Sequence, residues 1–272
     1  MKLYHYTTIE ALAMILKTRS IKFNRLDCVD DMEELAISKN IRLGQYMFVS
    51  CWTENGEESI PLWKMYSGDY HGVRIGLEKD MFYDHMVTNL VLTNGETMKG
   101  TLPSKISGDE FLNPEYFILP VTSHPANKLF YCHVEYVDDV GSMVSDCFQL
   151  HRDNDIYSSS KMNFGDVGKY KNKRWAFQQE SRFRIVILPS NPLLENEKDA
   201  SSIMLTAILQ NKPLSIKNYF LSLRNEVLNS IEITLHPNSS ESDKIIIEAL
   251  CEKYASQAII NDSALKGCVT LK

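Results

Sequence analysis

The chain has 272 residues, of which 44% are hydrophobic and 24% are charged, a composition typical of a globular protein with a sizeable core. Its formal net charge of −6 excludes the overall basic character of many nucleic-acid-binding and membrane-surface proteins, and Lys161–Lys173 is the best candidate for a local basic patch. The sequence has no apolar signal core at its N-terminus, no apolar run of membrane-spanning length and no CxxC pair among its six cysteines, which predicts a cytoplasmic protein with reduced thiols.

The first predicted elements are two strands joined by a helix. Leu3–Tyr6 is short and aromatic, as is typical of a strand. Thr7–Glu10 has the composition of a capping box, in which the threonine hydroxyl and the glutamate carboxylate satisfy each other's backbone amides. Apolar residues at helical spacing then predict a helix that ends near Thr18, and Ile21–Asn24 predicts the second strand. The predicted buried face of the helix consists of Leu12, Ile15 and Leu16.

Two further strands flank a short predicted helix. The apolar run Tyr46–Trp52 predicts a buried strand. Ser59 is expected to cap the helix, which has Pro61 in its first turn, where a missing amide proton costs nothing. Residues 73–77 alternate between apolar and small or polar side chains, which predicts a strand with one buried face. The aromatic side chains on one face of the helix are Trp63 and Tyr66.

The second half of the chain has a less regular pattern. Residues 81–126 contain Asn, Thr, Gly and Pro at intervals and predict an insertion of loops and short helices. Helical stretches are expected at Val144–Tyr157 and Glu241–Tyr254. The expected strands are Phe130–Tyr136, Phe183–Ile187, Ile231–Leu235 and Ala258–Ile260. Because elements of different type are interleaved without a βαβ repeat, the sequence predicts a single α+β domain over residues 1–272.

The candidate functional residues are dispersed polar side chains near aromatic residues, because the sequence lacks glycine-rich phosphate loops and the HExxH and GxSxG motifs. His5 lies between two tyrosines, and Tyr66 precedes a polar segment bounded by glycines, which permit close approach of a ligand. Glu180 begins a strand among several arginines. Each residue also has an ordinary structural explanation: a half-buried histidine, a core aromatic side chain, and a surface salt bridge to Arg174 or Arg182.

Three blocks of sequence resemble the DUF2971 family of bacterial proteins. The blocks are Tyr4–Thr7, then Leu62–Tyr66 running into His71–Leu77, and finally Lys173–Arg182, and the last strand-helix-strand unit from Ile231 is also similar. The pattern of this family is in turn similar to the ADP-ribosyltransferase superfamily, in its His-Tyr-Glu class. The resemblance implies an ADP-ribosyltransferase-like fold, a split mixed sheet with flanking helices.

The same resemblance implies how the chain would bind NAD, which is the substrate of these enzymes. His5 would bind a ribose, and its neighbours Tyr6 and Thr7 would hold the nicotinamide amide. Tyr66 would stack on the nicotinamide ring, with Tyr70 as its rival. The other residues implied to bind NAD are Ser50 and His71.

Two further residues carry the implied catalytic roles. Glu180 would hold the ribose 2′-hydroxyl and stabilise the positive charge that develops as the glycosidic bond breaks. Gln178 stands where many transferases carry a Glu or Gln that orients the acceptor. A glutamine cannot act as a general base, so the identity of the acceptor stays open.

The resemblance therefore implies an NAD-dependent ADP-ribosyltransferase that modifies a protein or a nucleic acid and releases nicotinamide. By analogy it would be a bacterial toxin or an antiviral defence effector, with an antitoxin or inhibitor as a candidate partner and no membrane association. One alternative is a catalytically inactive nucleotide-binding or interaction module of the same fold. A metal hydrolase is disfavoured because Asp30-Asp31 is more typical of a solvated turn than of metal ligands. Its candidate ligands are His5, Asp27, Asp30, Asp31 and His71.

Overall fold

The computed structural model of the chain describes residues 1–35, 37–68, 71–91, 97–119, 121, 129–153, 156–194 and 197–271. The α-helices of this part of the chain are α1 (Ile9–Thr18), α2 (Ile60–Tyr66), α3 (Gly108–Phe111), α4 (Val140–Val144), α5 (Glu197–Leu209), α6 (Asn225–Asn229) and α7 (Glu241–Tyr254). Short 3-10 helices cover Leu26–Cys28, Met32–Leu35, Leu43–Tyr46, Lys173–Gln178 and Pro192–Leu194.

The strands are numbered in chain order. They are β1 (Lys2–Thr8), β2 (Ser20–Arg25), β3 (Ile37–Ser38), β4 (Ile41–Arg42), β5 (Met47–Thr53), β6 (Gly72–Glu78), β7 (His85–Val91), β8 (Thr97–Ser104), β9 (Phe117–Ile118), β10 (Tyr131–His133), β11 (Glu135–Val137), β12 (Phe148–Asp153), β13 (Ile156–Met162), β14 (Tyr170–Asn172), β15 (Glu180–Leu188), β16 (Asn218–Ser222), β17 (Glu232–Leu235) and β18 (Ile259–Asn261).

A large mixed sheet organises the fold. Its main strand order is β10-β15-β5-β1-β6-β17-β18, with β2 and β16 attached beside β5 and β9 attached to β15. The pair β17–β18 is parallel and the other pairs of this sheet are antiparallel. The pairs β3–β4, β7–β8, β11–β14 and β12–β13 form separate two-stranded sheets. The α+β class expected from the sequence is confirmed.

The large sheet opens between β1 and β5. Strand β1 pairs with β6 over seven residues, but its pairing with β5 is limited to Tyr4 opposite Thr53. Thr53 is in turn paired with Glu180, the first residue of β15. The ends of β5 and β15 therefore meet β1 at the place where the sheet begins to divide.

Both β6 and β15 are buried on both faces, whereas the alternation in β6 predicted one buried face. Residues 72–77 and all nine residues of β15 are buried. The polar face of β15 is covered because its arginines reach groups on other segments: Arg184 donates to the carbonyl oxygens of Gly165 and Val167, and Arg182 pairs with Glu34. The segments that carry these partners close the face which the alternation pattern would have left to solvent.

The helices with strong local signals are confirmed. Ser59 caps α2 by accepting a hydrogen bond from the amide of Leu62, and α7 covers Glu241–Tyr254 as expected. Helix α1 ends at Thr18, but its cap is not Thr7. Thr7 is still part of strand β1, where it pairs with Val73 of β6. The cap of the helix is therefore Thr8, whose hydroxyl accepts a hydrogen bond from the amide of Ala11.

Three predictions about the middle of the chain are wrong. Residues 81–126 contain the β7–β8 hairpin in addition to α3 and β9, although 92–96, 120 and 122–128 lie outside the described residues. Most of the stretch predicted as helix at Val144–Tyr157 is strand: Phe148–Asp153 forms β12 and Ile156 begins β13, whereas residues 154 and 155 lie outside the described residues. The strand predicted at Phe130–Tyr136 divides at Val134 into β10 and β11, which pair with different sheets. Cross-strand pairing outweighs local propensity in the first two places, and in the third it decides where one predicted strand divides.

Among the described residues, no helix combines the length and apolar character needed to cross a bilayer. All six cysteines are free thiols.

Candidate functional site

The start of β15 positions the two predicted catalytic residues. The 3-10 helix Lys173–Gln178 leads to Gln179, whose φ of 44° places it in the left-handed region and turns the chain directly into β15. Gln178 and Glu180, on either side of this turn, are buried and share one partner, Lys171 of β14. The local turn thus brings the predicted acceptor-orienting residue beside the predicted catalytic carboxylate.

Glu180 belongs to a buried group of four charged side chains, called here the charged cluster: Glu34, Lys171, Glu180 and Arg182. One oxygen of Glu180 accepts from Nε of Arg182, and the other lies 3.1 Å from Nζ of Lys171. The guanidinium of Arg182 also donates to both oxygens of Glu34, which lies 3.3 Å from Lys171. Two carboxylates are therefore matched by two cations inside the protein.

The charged cluster keeps Glu180 ionised. Burial opposes ionisation, but the positive charges of Arg182 and Lys171 outweigh it and lower the pKa of Glu180 to about 2. The alternative explanation of Glu180 as a surface salt bridge is wrong, because its pair with Arg182 is buried. Arg174 pairs with Glu33 instead.

Tyr66 joins this site from α2. Nε2 of Gln178 donates to the Tyr66 hydroxyl at 2.9 Å, while Oε1 of Gln178 accepts from Lys171 at 2.7 Å. Burial, followed by the nearby carboxylates of Asp30 and Glu180, raises the pKa of Tyr66. The structure therefore links Tyr66, Gln178 and Glu180 in one hydrogen-bonded group.

The side chain of His5 projects from β1 on the face of the sheet opposite Glu180. Tyr4, Thr53 and Glu180 are paired across the strands and share one face, and because side chains alternate, the next residue faces the opposite way. The His5 ring lies 5.2 Å from the Trp52 ring, and Nδ1 donates to the carbonyl oxygen of Cys51 at 2.8 Å. Burial lowers the pKa of His5, and this hydrogen bond opposes the shift.

Ser50 shares the face of His5, since two positions separate it from Trp52, whose Nε1 donates to the Ser50 hydroxyl at 2.9 Å. Cys51 connects the two faces: its carbonyl oxygen accepts the hydrogen bond from His5, and its side chain shares the face of Thr53 and Glu180. His5 and Ser50 thus stand on one face of the sheet, and the group around Glu180 stands on the other.

The neighbours of His5 in β1 make structural contacts. The Tyr6 ring packs edge-on against Trp63 at 4.9 Å, and its hydroxyl accepts from the amide of Ser59, so Tyr6 anchors α2. Thr7 is buried and paired with Val73 of β6. Both residues lie beside the opening between β1 and β5.

His71 is placed apart from the charged cluster. It stands just before β6, where its carbonyl accepts from the amide of Ile9, at the opposite end of β1 from Tyr4. Its Nδ1 lies 2.9 Å from an oxygen of Asp243 in the first turn of α7. The structure does not bring His71 to Glu180. Tyr70, the predicted rival of Tyr66, lies outside the described residues.

Sequence reasoning missed Lys171 and Glu34. Lys171 was included in the proposed basic patch, but it is buried, while Lys169 and Lys173 pair with Glu135 and Asp138. The prediction of a basic patch over Lys161–Lys173 is therefore wrong for these three lysines. A signal was present in β15, where a glutamate and an arginine two apart begin a strand that ends in the apolar run Ile185–Leu188, so that burial of the strand requires partners of opposite charge.

The open space beside this group is small. A shallow pocket of about 10 Å³, enough for about one water molecule, borders Gln178. Its lining residues are Thr53, Asn55, Glu57, Ser59, Leu62, Phe177, Gln178 and Gln179. A dinucleotide would therefore need a movement of α2 or of the 3-10 helix Lys173–Gln178 to reach Glu180.

The described residues contain no group of three or more His, Cys, Asp or Glu side chains that could hold a metal ion. Asp27, one candidate ligand of the disfavoured hydrolase hypothesis, pairs with Arg25.

Comparisons of the chain with protein-family models, with curated proteins and with solved structures found no match.

Proposed function

We propose that the protein is an NAD-dependent ADP-ribosyltransferase with an ADP-ribosyltransferase-like fold and NAD as its substrate. The observation that carries the proposal is an ionised Glu180 held in one hydrogen-bonded group with Gln178 and Tyr66. The resemblance of the sequence, through the DUF2971 pattern, to the ADP-ribosyltransferase superfamily implies catalytic and NAD-binding roles for these same three residues. A fixed negative charge is the feature that cleavage of a glycosidic bond requires, because the ribose becomes cationic in the transition state.

In this proposal nicotinamide departs from the ribose and the carboxylate of Glu180 stabilises the positive charge left behind. Tyr66 stacks on the nicotinamide. The ribose contact that the resemblance implies for His5 requires a rearrangement on binding, because His5 stands on the face of the sheet opposite Glu180. Because Lys171 holds one oxygen of Glu180, the ribose hydroxyl displaces Lys171 from that oxygen on binding. The acceptor is a protein or a nucleic acid, and the site of action is the bacterial cytoplasm. The role of a toxin or antiviral effector, with an antitoxin or inhibitor as partner, rests on analogy.

A second candidate is a catalytically inactive nucleotide-binding or interaction module. The observation that favours it is the engagement of both Glu180 oxygens by cations, beside a pocket of only about 10 Å³. In that case the charged cluster is a structural element that holds β15 to β14 and to the 3-10 helix Met32–Leu35.

The two candidates are separated by a matched pair of variants. Glu180→Gln and Glu34→Gln each remove one carboxylate from the charged cluster, so each is expected to destabilise the fold by about 3–5 kcal/mol. Catalysis by Glu180 predicts that only Glu180→Gln abolishes nicotinamide release from NAD, by at least about a hundredfold. The assay is run at a temperature at which circular dichroism shows both variants folded. Equal turnover in the two variants contradicts the catalytic role of Glu180, and absence of turnover in the wild type with intact NAD binding supports the inactive module.

A further inference from the structure

A larger cavity lies on elements that take no part in the candidate site. Its volume is about 410 Å³, within the range of small-molecule sites, and it opens between α3 and β16. The lining residues on which the inference depends are Lys105, Glu110, Tyr116, Asn218 and Tyr219. Nothing in the proposed transferase function uses this cavity.

Within the part of the chain that the structure describes, Glu110 is a carboxylate without a cationic partner. Both of its hydrogen bonds are received by the same oxygen, Oε2, from the hydroxyls of Tyr116 at 3.2 Å and Tyr219 at 3.5 Å. Among the described residues, Oε1 has no hydrogen-bond partner and no Lys, Arg or His nitrogen lies within 4.0 Å of either oxygen. One oxygen of a half-buried carboxylate is thus left for a ligand.

Lys105, the cation of the cavity, is fully occupied. Its ammonium group has three protons. Nζ lies 3.3 Å from an oxygen of Asp80, 3.0 Å from an oxygen of Asp84 and 3.0 Å from the carbonyl oxygen of Phe82. Lys105 therefore has no proton left to hold an anionic ligand, and its charge is already matched by two carboxylates.

We propose that this cavity binds a small organic cation with an ammonium or guanidinium group. The cation donates to the free oxygen of Glu110, an interaction of the charge-assisted kind. Tyr116 and Tyr219 also line the cavity, and an aromatic side chain there adds its attraction for a positive charge. The two tyrosine hydroxyls hold the carboxylate in place before the ligand arrives.

The test is calorimetric titration of the full-length protein with agmatine, which carries both an ammonium and a guanidinium group. Glu110→Gln keeps the size of the side chain and an acceptor for the tyrosines but removes the charge, and it is expected to weaken agmatine binding about ten- to hundredfold. The matched control is Glu115→Gln. Glu115 does not line the cavity and its carboxylate accepts from Ser215, so agmatine affinity is expected to equal that of the wild type.

Asn218→Lys provides a second variant in case Glu110→Gln fails to fold. Asn218 is exposed at the rim, so a lysine there leaves the interior intact and repels a cation. Weaker agmatine binding in Asn218→Lys supports the proposal. No binding of agmatine to the wild type at millimolar concentration overturns it. Unchanged affinity in a folded Glu110→Gln or Asn218→Lys variant, or binding of inorganic phosphate that Glu110→Gln strengthens, also overturns it.

Discussion

The charged cluster shows how strongly a single side chain depends on its partners. Glu180 and Arg182 are buried two positions apart on the same face of β15, and neither charge would be tolerated there alone. Glu34 and Lys171 complete the cluster from other segments, so that each charge has at least two neighbours of opposite sign. Removing one member leaves an unmatched charge in the interior. The resulting loss of folding stability is larger than the net stability that the intact ion pair provides.

The depressed pKa of Glu180 predicts a specific pH dependence of stability. The folded-state pKa is about 2, below the ordinary value of 4.5, so the folded protein binds this proton less readily than the unfolded chain. Glu180 therefore stabilises the fold above about pH 5, and this contribution is lost as the pH falls from 5 towards 2. The difference in unfolding free energy between wild type and Glu180→Gln should shrink over the same interval in urea titrations at successive pH values.

Glu57→Gln serves as the control for this measurement. Glu57 is exposed, and its substitution is expected to change the unfolding free energy by at most about 0.5 kcal/mol at every pH. A wild-type to Glu180→Gln difference that stays constant from pH 7 to pH 3 contradicts the assignment of the low pKa to Glu180.

The connection between α2 and β6 illustrates how elements constrain each other. Ser67, the residue after α2, donates its hydroxyl to the carbonyl of Trp63, and the chain returns to begin β6 at Gly72 directly beside it. A Cβ at Gly72 would lie 2.0 Å from Cβ of Ser67 and 2.7 Å from its backbone oxygen. The contact includes backbone atoms, so no side-chain rotation relieves it.

We therefore expect Gly72→Ala to be strongly destabilising, by more than about 3 kcal/mol, because it forces α2 and β6 apart. Gly56→Ala is the matched control: the nearest atoms to its added Cβ are 3.8 Å away, on the ring of Tyr4. Thermal unfolding of both variants measures the difference. Similar melting temperatures for the two variants would show that the close approach of α2 and β6 is absent in solution.

The distribution of thiols gives a test of the packing of the whole chain. Cys28 and Cys268 are exposed, whereas Cys147 and Cys251 are buried and burial raises the pKa of each to about 11. Cys51 is half-buried, and burial followed by the charge of Glu180 raises its pKa well above the ordinary range. A raised pKa suppresses the thiolate, which is the reactive form.

A chromogenic aromatic disulfide at pH 8 is expected to modify two thiols of the native protein promptly and all six after denaturation. The double variant with Cys28→Ser and Cys268→Ser is expected to show no prompt reaction. Prompt modification of three or more thiols in the native protein would contradict the protection of the other four thiols, Cys51, Cys132, Cys147 and Cys251.

Local signals were sufficient for the elements whose stabilising contacts lie within a few residues. The boundaries of α1, α2 and α7 follow from caps and apolar periodicity, and the aromatic or β-branched runs at β1, β5 and β15 were recognised as strands. The choice of His5, Tyr66, Gln178 and Glu180 as a site came from resemblance. The structure brings the last three together but places His5 on the opposite face of the sheet. Their roles in binding and catalysis stay predictions.

Tertiary structure alone decided which charges are buried and which faces the site residues occupy. Arg182 and Glu34 are 148 positions apart, and no local pattern indicates that they pair. Likewise, the register that pairs Tyr4 with Thr53 places His5 and Glu180 on different faces of the sheet. A shift of β1 by one residue would place them on the same face. Caps and periodicity depend on hydrogen bonds within one turn, whereas burial and register depend on which distant segments pack together, so only the folded chain determines them.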